Sequence, residues 1–243
     1  MTTTTAGARK VTVRREPRDL RRFWRLLIAI ALPIGPLGVT VARGIMPYWT
    51  NDDGRTIVEK SAAHPDLLNA SAWMMLVLFP PLLLGMLVLG YVARRGAPVL
   101  ATVGAGLSFL AYADWGVAGD SDYTILTMHD AGFDVDTIYR VVDAGYAHPV
   151  ATVSGLGWVA GHILGMILLG IALYRARVVA RWVGIALAVS QPIHLISAII
   201  VPSRLLDVTL GWGLTTVGFV MVSVAIARMP DDEWDLRPVR VRE

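Results

Sequence analysis

Long apolar runs separated by short polar stretches organise this chain. Six runs each come close to the roughly 20 residues that a helix needs to cross the hydrocarbon layer of a membrane. These runs cover residues 23–43, 70–92, 98–118, 151–174, 180–201 and 207–228. The pattern predicts an all-α, polytopic membrane protein with six transmembrane helices.

The polar residues divide the chain into three parts. Residues 1–22 form a basic arm, residues 23–228 the predicted transmembrane domain, and residues 229–243 a charged tail. Pro230 and Pro238 lie in the tail, and the charged composition predicts that the tail is disordered. Both ends are expected on the same side of the membrane, because the number of predicted crossings is even.

The distribution of positive charge predicts the orientation. If the N-terminus is cytoplasmic, most of the basic residues fall in the arm, the two short joints and the tail. Five of the 22 basic residues fall on the other side: Arg43, Arg55, Lys60, Arg140 and Arg204. This asymmetry follows the positive-inside rule, so it predicts a multi-pass protein of a bacterial plasma membrane with cytoplasmic N- and C-termini.

Two loops on the predicted extracytoplasmic side are long enough to hold structure. A short helix over Thr56 to Ala63 is expected in the first. Residues 119–150 predict two short helices between transmembrane helices 3 and 4, one from Asp122 to Ala131 and one beginning after the N-cap Asp134. The second carries an apolar stripe at helical spacing, made by Val135, Ile138, Tyr139 and Val142. Gly145 is expected just past its C-terminus, and both helices are expected to cover the outer mouth as a cap or a substrate lid.

Composition supports the membrane assignment and excludes several kinds of function. Hydrophobic residues make up 55% of the chain, and charged residues 17%, below the roughly 25% of an average soluble protein. The net charge of +3 follows from the topological arginines and predicts no nucleic-acid partner. The absence of cysteine excludes disulfides and thiolate chemistry, and no phosphate-binding loop or metalloprotease motif occurs. The sequence therefore predicts no catalytic residue and no cofactor, and it favours a protein that is not an enzyme.

Polar groups within the apolar runs are the candidate ligand-binding residues, because ionisable groups in hydrocarbon need a partner or a function. They are Asp114, His162, Gln191 and His194. One hypothesis joins them in a cavity for a proton or small cation, with Asp114 and His194 exchanging protons. A second makes each group a hydrogen bond that fixes helix packing. A third uses His162 and His194 as axial ligands of a b-type haem.

The remaining patterns predict structure rather than chemistry. Acidic residues and histidines of the loops could in principle gather around a metal, but they lack metal-ligand spacing and are expected to act as caps and solvated groups. Gly161 and Gly165 form a G-x-x-x-G pattern, which predicts close approach to another helix. That neighbour could belong to this chain, to a second copy or to a membrane partner.

Three segments resemble a known family. They are the loop from Met46 to Asp53 with Lys60 to Pro65, the segment Gly161-His162-Ile163-Leu164-Gly165, and Ser190-Gln191-Pro192-Ile193-His194. Together they are similar to an uncharacterised family of six-span bacterial inner-membrane proteins. The resemblance implies the fold class and the location, and no activity.

These observations lead to one functional hypothesis and two alternatives. The first is a small transporter-like or accessory membrane protein whose polar cavity opens outward. The second is a structural or interaction subunit of a membrane complex that binds no ligand. The third is a b-type haem electron carrier.

Overall fold

A computed structural model of the protein describes residues 18–113 and 121–237. These residues form helices and no β-strand. Five helical segments are long and apolar enough to cross a membrane, and Pro98–Ala113 is a shorter apolar helix. The predicted all-α, polytopic fold class is therefore confirmed. The predicted third run, 98–118, is described as far as residue 113, so Asp114 lies outside the described residues.

Twelve α-helices lie in the described ranges. They are α1 (Arg21–Ala31), α2 (Ile34–Ile45), α3 (Gly54–Ala63), α4 (Pro65–Ala93), α5 (Pro98–Ala113), α6 (Ser121–Asp130), α7 (Val135–Tyr146), α8 (Pro149–Ala176), α9 (Arg181–Leu195), α10 (Arg204–Leu206), α11 (Trp212–Arg228) and α12 (Asp231–Trp234). Two single π-helical turns continue the series: Ile196–Ile200 follows α9, and Asp207–Gly211 joins α10 to α11.

Prolines act differently in the first two spans. The first span is interrupted at Leu32 and Pro33, so that α2 begins at Ile34. A proline has no N–H to donate and its ring crowds the preceding turn. In α4, by contrast, Pro80 and Pro81 lie inside a continuous helix of 29 residues. Membrane helices tolerate such prolines where neighbouring helices satisfy the freed carbonyls.

Short helices cover one end of the bundle. Ile57, Ile125, Ile138 and Val142 from α3, α6 and α7 pack with the first turns of α4 in a small apolar cluster. The two short helices predicted in residues 119–150 are therefore confirmed. We call this the capped end. Gly145, expected after α7, instead lies within it, because the helix continues to Tyr146 before α8 begins.

The cap helices begin at acidic residues. Asp134 accepts hydrogen bonds from the backbone N–H and the hydroxyl of Thr137, at 2.9 and 2.8 Å. These donors hold the pKa of Asp134 below its ordinary value, because they stabilise the ionised carboxylate. Asp53 caps α3 in the same way through Thr56, and its pKa is lowered for the same reason. The two caps fix where the short helices start.

The opposite half of the bundle holds a dry hydrophobic core. Its centre is made by fully buried side chains of α4, α8 and α11, namely Leu82, Met86, Leu89, Met166, Leu169, Leu173, Phe219, Val222 and Ile226. These residues extend from the middle of each of the three helices toward its C-terminal end. The bundle is therefore packed solid at this end, whereas its capped half contains the cavity described below.

The G-x-x-x-G pattern is used within the chain. A Cβ atom added at Gly161 would lie 2.8 Å from the Cβ of Ala111, and one at Gly165 would lie 2.9 Å from the Gly104 carbonyl oxygen. Both contacts are with α5. The close approach predicted for these glycines, which lie on α8, is thus to a neighbouring helix in the same chain. Association with a second copy or a membrane partner stays a prediction and would need another face of the bundle.

The beginning of the tail is ordered, so the prediction of disorder is wrong for residues 229–237. α12 places the Trp234 side chain against Tyr91, whose hydroxyl donates to the Trp234 carbonyl oxygen at 2.7 Å. Asp231 and Asp232 form ion pairs with Arg25 and Arg21, at 3.0 and 2.7 Å. The first and last described segments therefore meet at one end of the bundle, which we call the terminal end.

Candidate functional site

The buried pair His194 and Asp207 forms the centre of the site. Nδ1 of His194 lies 2.5 Å from Oδ1 of Asp207, and the Asp207 side chain is completely buried. The same oxygen accepts a hydrogen bond from Ser197 Oγ at 3.3 Å. A carboxylate in hydrocarbon is costly unless it is paired and hydrogen-bonded. Hydrogen bonding to His194 and Ser197 therefore allows the Asp207 carboxylate to be buried in the membrane domain.

Arg43 supplies the balancing positive charge from the other side of the carboxylate. Its Nε donates to Asp207 Oδ2 at 2.7 Å, and Nη1 donates to Thr50 Oγ1 at 2.7 Å. The guanidinium also lies over the Trp49 ring, 4.2 Å from its centroid. Asp207 is therefore held between an imidazole and a guanidinium. The three side chains come from α2, α9 and the turn before α11.

The local backbone explains how these residues meet. His194 lies at the end of α9, just before the π-helical turn Ile196–Ile200, and Asp207 opens the second π-helical turn. Pro192 lacks the N–H that would complete the α-helical ladder beside it. A π turn inserts one extra residue, redirects the side chains that follow, and is frequent at functional sites. Both members of the pair thus lie where the helix is irregular.

His162 approaches the pair from α8. Its Nδ1 lies 2.6 Å from the Trp158 carbonyl oxygen, and a carbonyl only accepts, so Nδ1 carries the proton. Nε2 is then a hydrogen-bond acceptor, and it is buried with no partner among the described residues. The His162 and His194 rings lie 6.1 Å apart, centroid to centroid. In both imidazoles Nδ1 makes a hydrogen bond, so each ring can interact with a ligand only through Nε2.

The two histidines line one cavity of about 360 Å³, which we call the capped-end cavity. This volume falls in the range of roughly 300–1,000 Å³ that is usual for small-molecule sites. Most of its wall is apolar and includes Val39, Met46, Met75, Phe79, Ala198 and Ile199. Tyr112, Trp212 and Arg43 also line it. The Tyr112 hydroxyl, the Trp212 indole N–H and Arg43 Nη2 are buried without a hydrogen-bond partner in the described part of the chain.

The cap borders the cavity on the side away from the core. Ser121 and Asp122 at the start of α6, and Tyr146 at the end of α7, line it together with Tyr48. The Tyr48 hydroxyl donates to the Asp122 carboxylate at 2.5 Å, and Tyr146 bonds to Ser121 at 2.7 Å. These bonds connect the loop after α2 to α6, and α6 to α7.

The predicted ligand-binding residues fall into three groups. His162 and His194 are brought together at the cavity. Gln191 does not line it: its amide donates to Thr215 Oγ1 at 2.9 Å, and Thr215 bonds Ser190, in a buried cluster between α9 and α11. Asp114 lies outside the described residues. The loop residues Asp134 and His148, considered for a metal, accept hydrogen bonds from backbone N–H groups at the starts of α7 and α8.

Sequence reasoning missed Arg43, Tyr112, Asp207 and Trp212. Arg43 and Asp207 stand at the last and first positions of predicted apolar runs, where a charged residue is typical of the end of a span. A signal was available, since an acid and a base placed at the same predicted depth on two spans can pair. No sequence signal marks Tyr112 or Trp212, because an aromatic residue in an apolar run is typical of packing.

The fold and the site define an integral membrane protein with a ligand-sized cavity, and comparison with known families agrees. A family model described as a domain of unknown function, DUF4386, matches residues 25–229, which is most of the chain. The chain therefore belongs to this family, and the resemblance to an uncharacterised membrane family is confirmed. Neither the curated proteins nor the solved structures include a match to the chain.

Proposed function

We propose that this protein binds a small amphipathic weak acid in the capped-end cavity and exchanges a proton with it at His194, as a transporter-like or accessory membrane protein. The observation that carries the proposal is the set of unpaired polar atoms on residues lining one largely apolar cavity. Buried polar groups in proteins are almost always hydrogen-bonded. A ligand with an apolar body and a polar head would satisfy these groups.

The available donors and acceptors define the head group of the ligand. Arg43 Nη2, the Tyr112 hydroxyl and the Trp212 N–H are donors without a partner, and Nε2 of His162 is an acceptor without one. Nε2 of His194 is a second acceptor when the proton of that ring is on Nδ1, which faces the Asp207 carboxylate. A protonated carboxylic acid matches both kinds, since its O–H donates to an imidazole and its carbonyl oxygen accepts from Arg43, Tyr112 or Trp212. Its alkyl part fits the apolar wall.

The Asp207 carboxylate gives His194 the surroundings for proton uptake. When the acid O–H bond breaks, an N–H bond forms at His194 Nε2 and the ring becomes an imidazolium. Its Nδ1–H already points at Asp207 Oδ1, which stabilises the new positive charge. The carboxylate left on the ligand is stabilised by Arg43, which lines the same cavity.

The haem alternative makes an expectation that separates it from this hypothesis, because an iron bound by two axial histidines in a haem gives a Soret band. An absorbance spectrum of the purified protein tests the point, and we expect no Soret band.

Binding of octanoic acid, measured by thermal stabilisation and by calorimetry in detergent micelles, tests the proposal. We expect its apparent affinity to rise roughly tenfold for each unit that the pH falls above the pKa of the acid, because the protonated form binds. Octan-1-ol, which has no acidic proton, is the matched ligand and should show no pH dependence. His194→Gln should abolish the response, and His129→Gln, in the cap but outside the cavity lining, should keep it.

Two results would count against a ligand-binding role. If octanoic acid does not stabilise the parent protein at any pH, and His194→Gln only lowers stability, the polar groups serve packing and the structural-subunit alternative is favoured. If the acid binds equally well to His194→Gln, the cavity is a nonspecific apolar site. If binding is established, a separate measurement tests transport: influx of octanoate into vesicles that contain the protein should be accompanied by influx of protons.

We also propose that the protein resides in a bacterial plasma membrane with both termini cytoplasmic, so that the capped-end cavity opens outward. The ion pair between Arg21 and Asp232 supports a common side for the two ends, and the arginine asymmetry supports the cytoplasm. The chain has no cysteine, so single labels can be introduced. Thr127→Cys should react with an impermeant maleimide in intact cells, and Asp235→Cys only after permeabilisation. The reverse pattern would invert the topology.

A further inference from the structure

A groove of about 610 Å³ lies at the terminal end, on the opposite side of the dry core from the capped-end cavity. The last turns of α4 and α11, the turn between α8 and α9, and α12 form its walls. Because the spans end here, the groove lies at the level of the lipid head groups. It is independent of the function proposed for the cavity.

Three exposed arginines line this groove: Arg95, Arg177 and Arg228. None of them has an ion-pair partner in the described part of the chain. Two nearby arginines that do not line the groove contact aromatic rings instead: Arg94 lies over the Tyr91 ring at 3.4 Å, and Arg181 lies over the Tyr174 ring at 5.6 Å. Glu233 is the acidic residue in the lining, so positive charge prevails.

Arg177 occupies a backbone position that disfavours a side chain. It ends α8 with φ 55° and ψ 26°, the left-handed conformation in which glycine is preferred. Among the described residues, Arg177 is the one residue other than glycine that has a positive φ. An arginine here costs conformational free energy that a glycine would avoid. Such strain at a surface site points to a function for the guanidinium.

The base of the groove is apolar. Val92, Val179, Met221, Val224, Ala225 and Trp234 line the groove together with the arginines. Tryptophan is enriched at the membrane–water interface, where one face is apolar and the N–H is wet. Cationic groups over an apolar base match an amphiphile with an anionic head and an acyl chain.

We propose that this groove binds an anionic phospholipid, whose phosphate group is held by Arg95, Arg177 and Arg228 while an acyl chain runs along the apolar base. Guanidinium groups bind phosphate oxygens through paired N–H donors. Basic recesses between transmembrane helices are suited to anionic head groups. A zwitterionic lipid has the same acyl chains but no net negative charge to match the arginines.

Lipid binding to the full-length purified protein tests the proposal, with native mass spectrometry and thermal stabilisation as the two readouts. We expect phosphatidylglycerol to bind more tightly than phosphatidylcholine with the same acyl chains. Each arginine removed should weaken phosphatidylglycerol binding by about five-fold. The variants are Arg95→Gln, Arg177→Gly, Arg228→Gln and their combination. Inorganic phosphate is the third ligand, and it should neither bind measurably nor compete.

Arg177→Gly is the most informative variant, because it removes the charge and relieves the backbone strain together. We expect it to lose lipid affinity while keeping or gaining thermal stability without lipid. Arg175→Gln, two residues before Arg177 in the last turn of α8 and outside the groove lining, is the matched control and should bind lipid as the parent does. Three results would overturn the proposal: equal binding of the two lipids, unchanged binding by the combined variant, or full competition by inorganic phosphate, which would mark a site for the free ion.

Discussion

His194 and Asp207 lie 13 residues apart, on the two sides of a tight turn, with 2.5 Å between Nδ1 and Oδ1. Each belongs to or adjoins a π-helical turn, and the carboxylate is completely buried. A membrane helix hairpin could close at this position without any charged residue. The pair therefore specifies a polar centre at the capped half of the bundle, and the Arg43 guanidinium balances the charge of the carboxylate.

Removing the charge of Asp207 should be strongly destabilising. In Asp207→Asn the Arg43 guanidinium stays buried without its counter-ion, which costs about 3–5 kcal/mol for a buried pair. Thermal or denaturant unfolding in micelles measures the loss. The double variant Arg43→Gln with Asp207→Asn should recover part of it, because both charges are then gone. Strictly additive losses would show that the two residues do not interact energetically.

Gly211 lies against both members of the pair. A methyl group added there would lie 2.7 Å from Asp207 Oδ1 and 3.2 Å from the His194 Cα. We expect Gly211→Ala to lower stability by about 1–3 kcal/mol, as overpacking does, and to weaken octanoic acid binding. Gly106→Ala is the control, since its added methyl would meet nothing within 4 Å. Equal effects of the two variants would contradict the close contact.

Two glycines of α8 should respond in opposite ways. A methyl group at Gly165 would meet the backbone of α5, 2.7 Å from the Ser108 nitrogen, so the helices must separate. We expect Gly165→Ala to cost about 1–3 kcal/mol or more. Gly157→Ala, which meets open space, should be neutral or gain about 0.5–1 kcal/mol from reduced backbone entropy of the unfolded chain. Unfolding of both variants in the same detergent decides between these outcomes, and a neutral Gly165→Ala would refute the packing.

The tail should contribute to stability through Trp234, which is 6% exposed. Truncating a buried tryptophan costs about 3–5 kcal/mol in a well-packed site. We expect Trp234→Ala to approach the lower part of that range, since it packs on one face against Tyr91. Leu236→Ala, at an 87% exposed position, should change nothing. Susceptibility of the tail to protease reports the same event, and an intact tail in Trp234→Ala would contradict its role as an anchor.

The cap at Asp134 should make α7 sensitive to acid. Its folded pKa is lowered from 3.8 by Thr137, so the cap stabilises α7 fully above the unfolded pKa. That stabilisation is lost as the pH falls through the lower, folded pKa. Hydrogen exchange of the α7 amides should therefore accelerate below about pH 4 beyond the intrinsic rate. In Asp134→Asn, which keeps a capping oxygen without the charge, protection should be insensitive to pH over the same range. Equal acid sensitivity in both proteins would assign the effect to another group.

Much of the fold could be predicted because it depends on local properties of the sequence. Apolar runs of membrane length, prolines before α4 and α8, and the acidic caps of α3 and α7 each act within a few residues. Prediction was weaker where the outcome depended on a distant partner. The charged composition of the tail predicts disorder, but the Trp234 side chain packs against Tyr91, which is far away in the sequence.

The candidate site shows the same division more sharply. His162 and His194 stood out because an ionisable group inside an apolar run needs a reason, whatever the rest of the chain does. Gln191 shares the His194 face in sequence but bonds Thr215, because the neighbouring helix offers a hydroxyl at that height. Only the packed helices reveal which polar group each one meets.

The sequence by itself determined that apolar helices of this protein are suited to a lipid bilayer, that the fold is all-α, and approximately where the spans end. These features depend on the length of each apolar run and on helix capping, which are properties of short segments. The tertiary structure decided that Arg43, His194 and Asp207 share one buried cluster and that His162 lines the same cavity. These residues come from different spans, and their meeting depends on helix rotation, two π-helical turns and glycine contacts. Those features are set by the packing of the whole bundle.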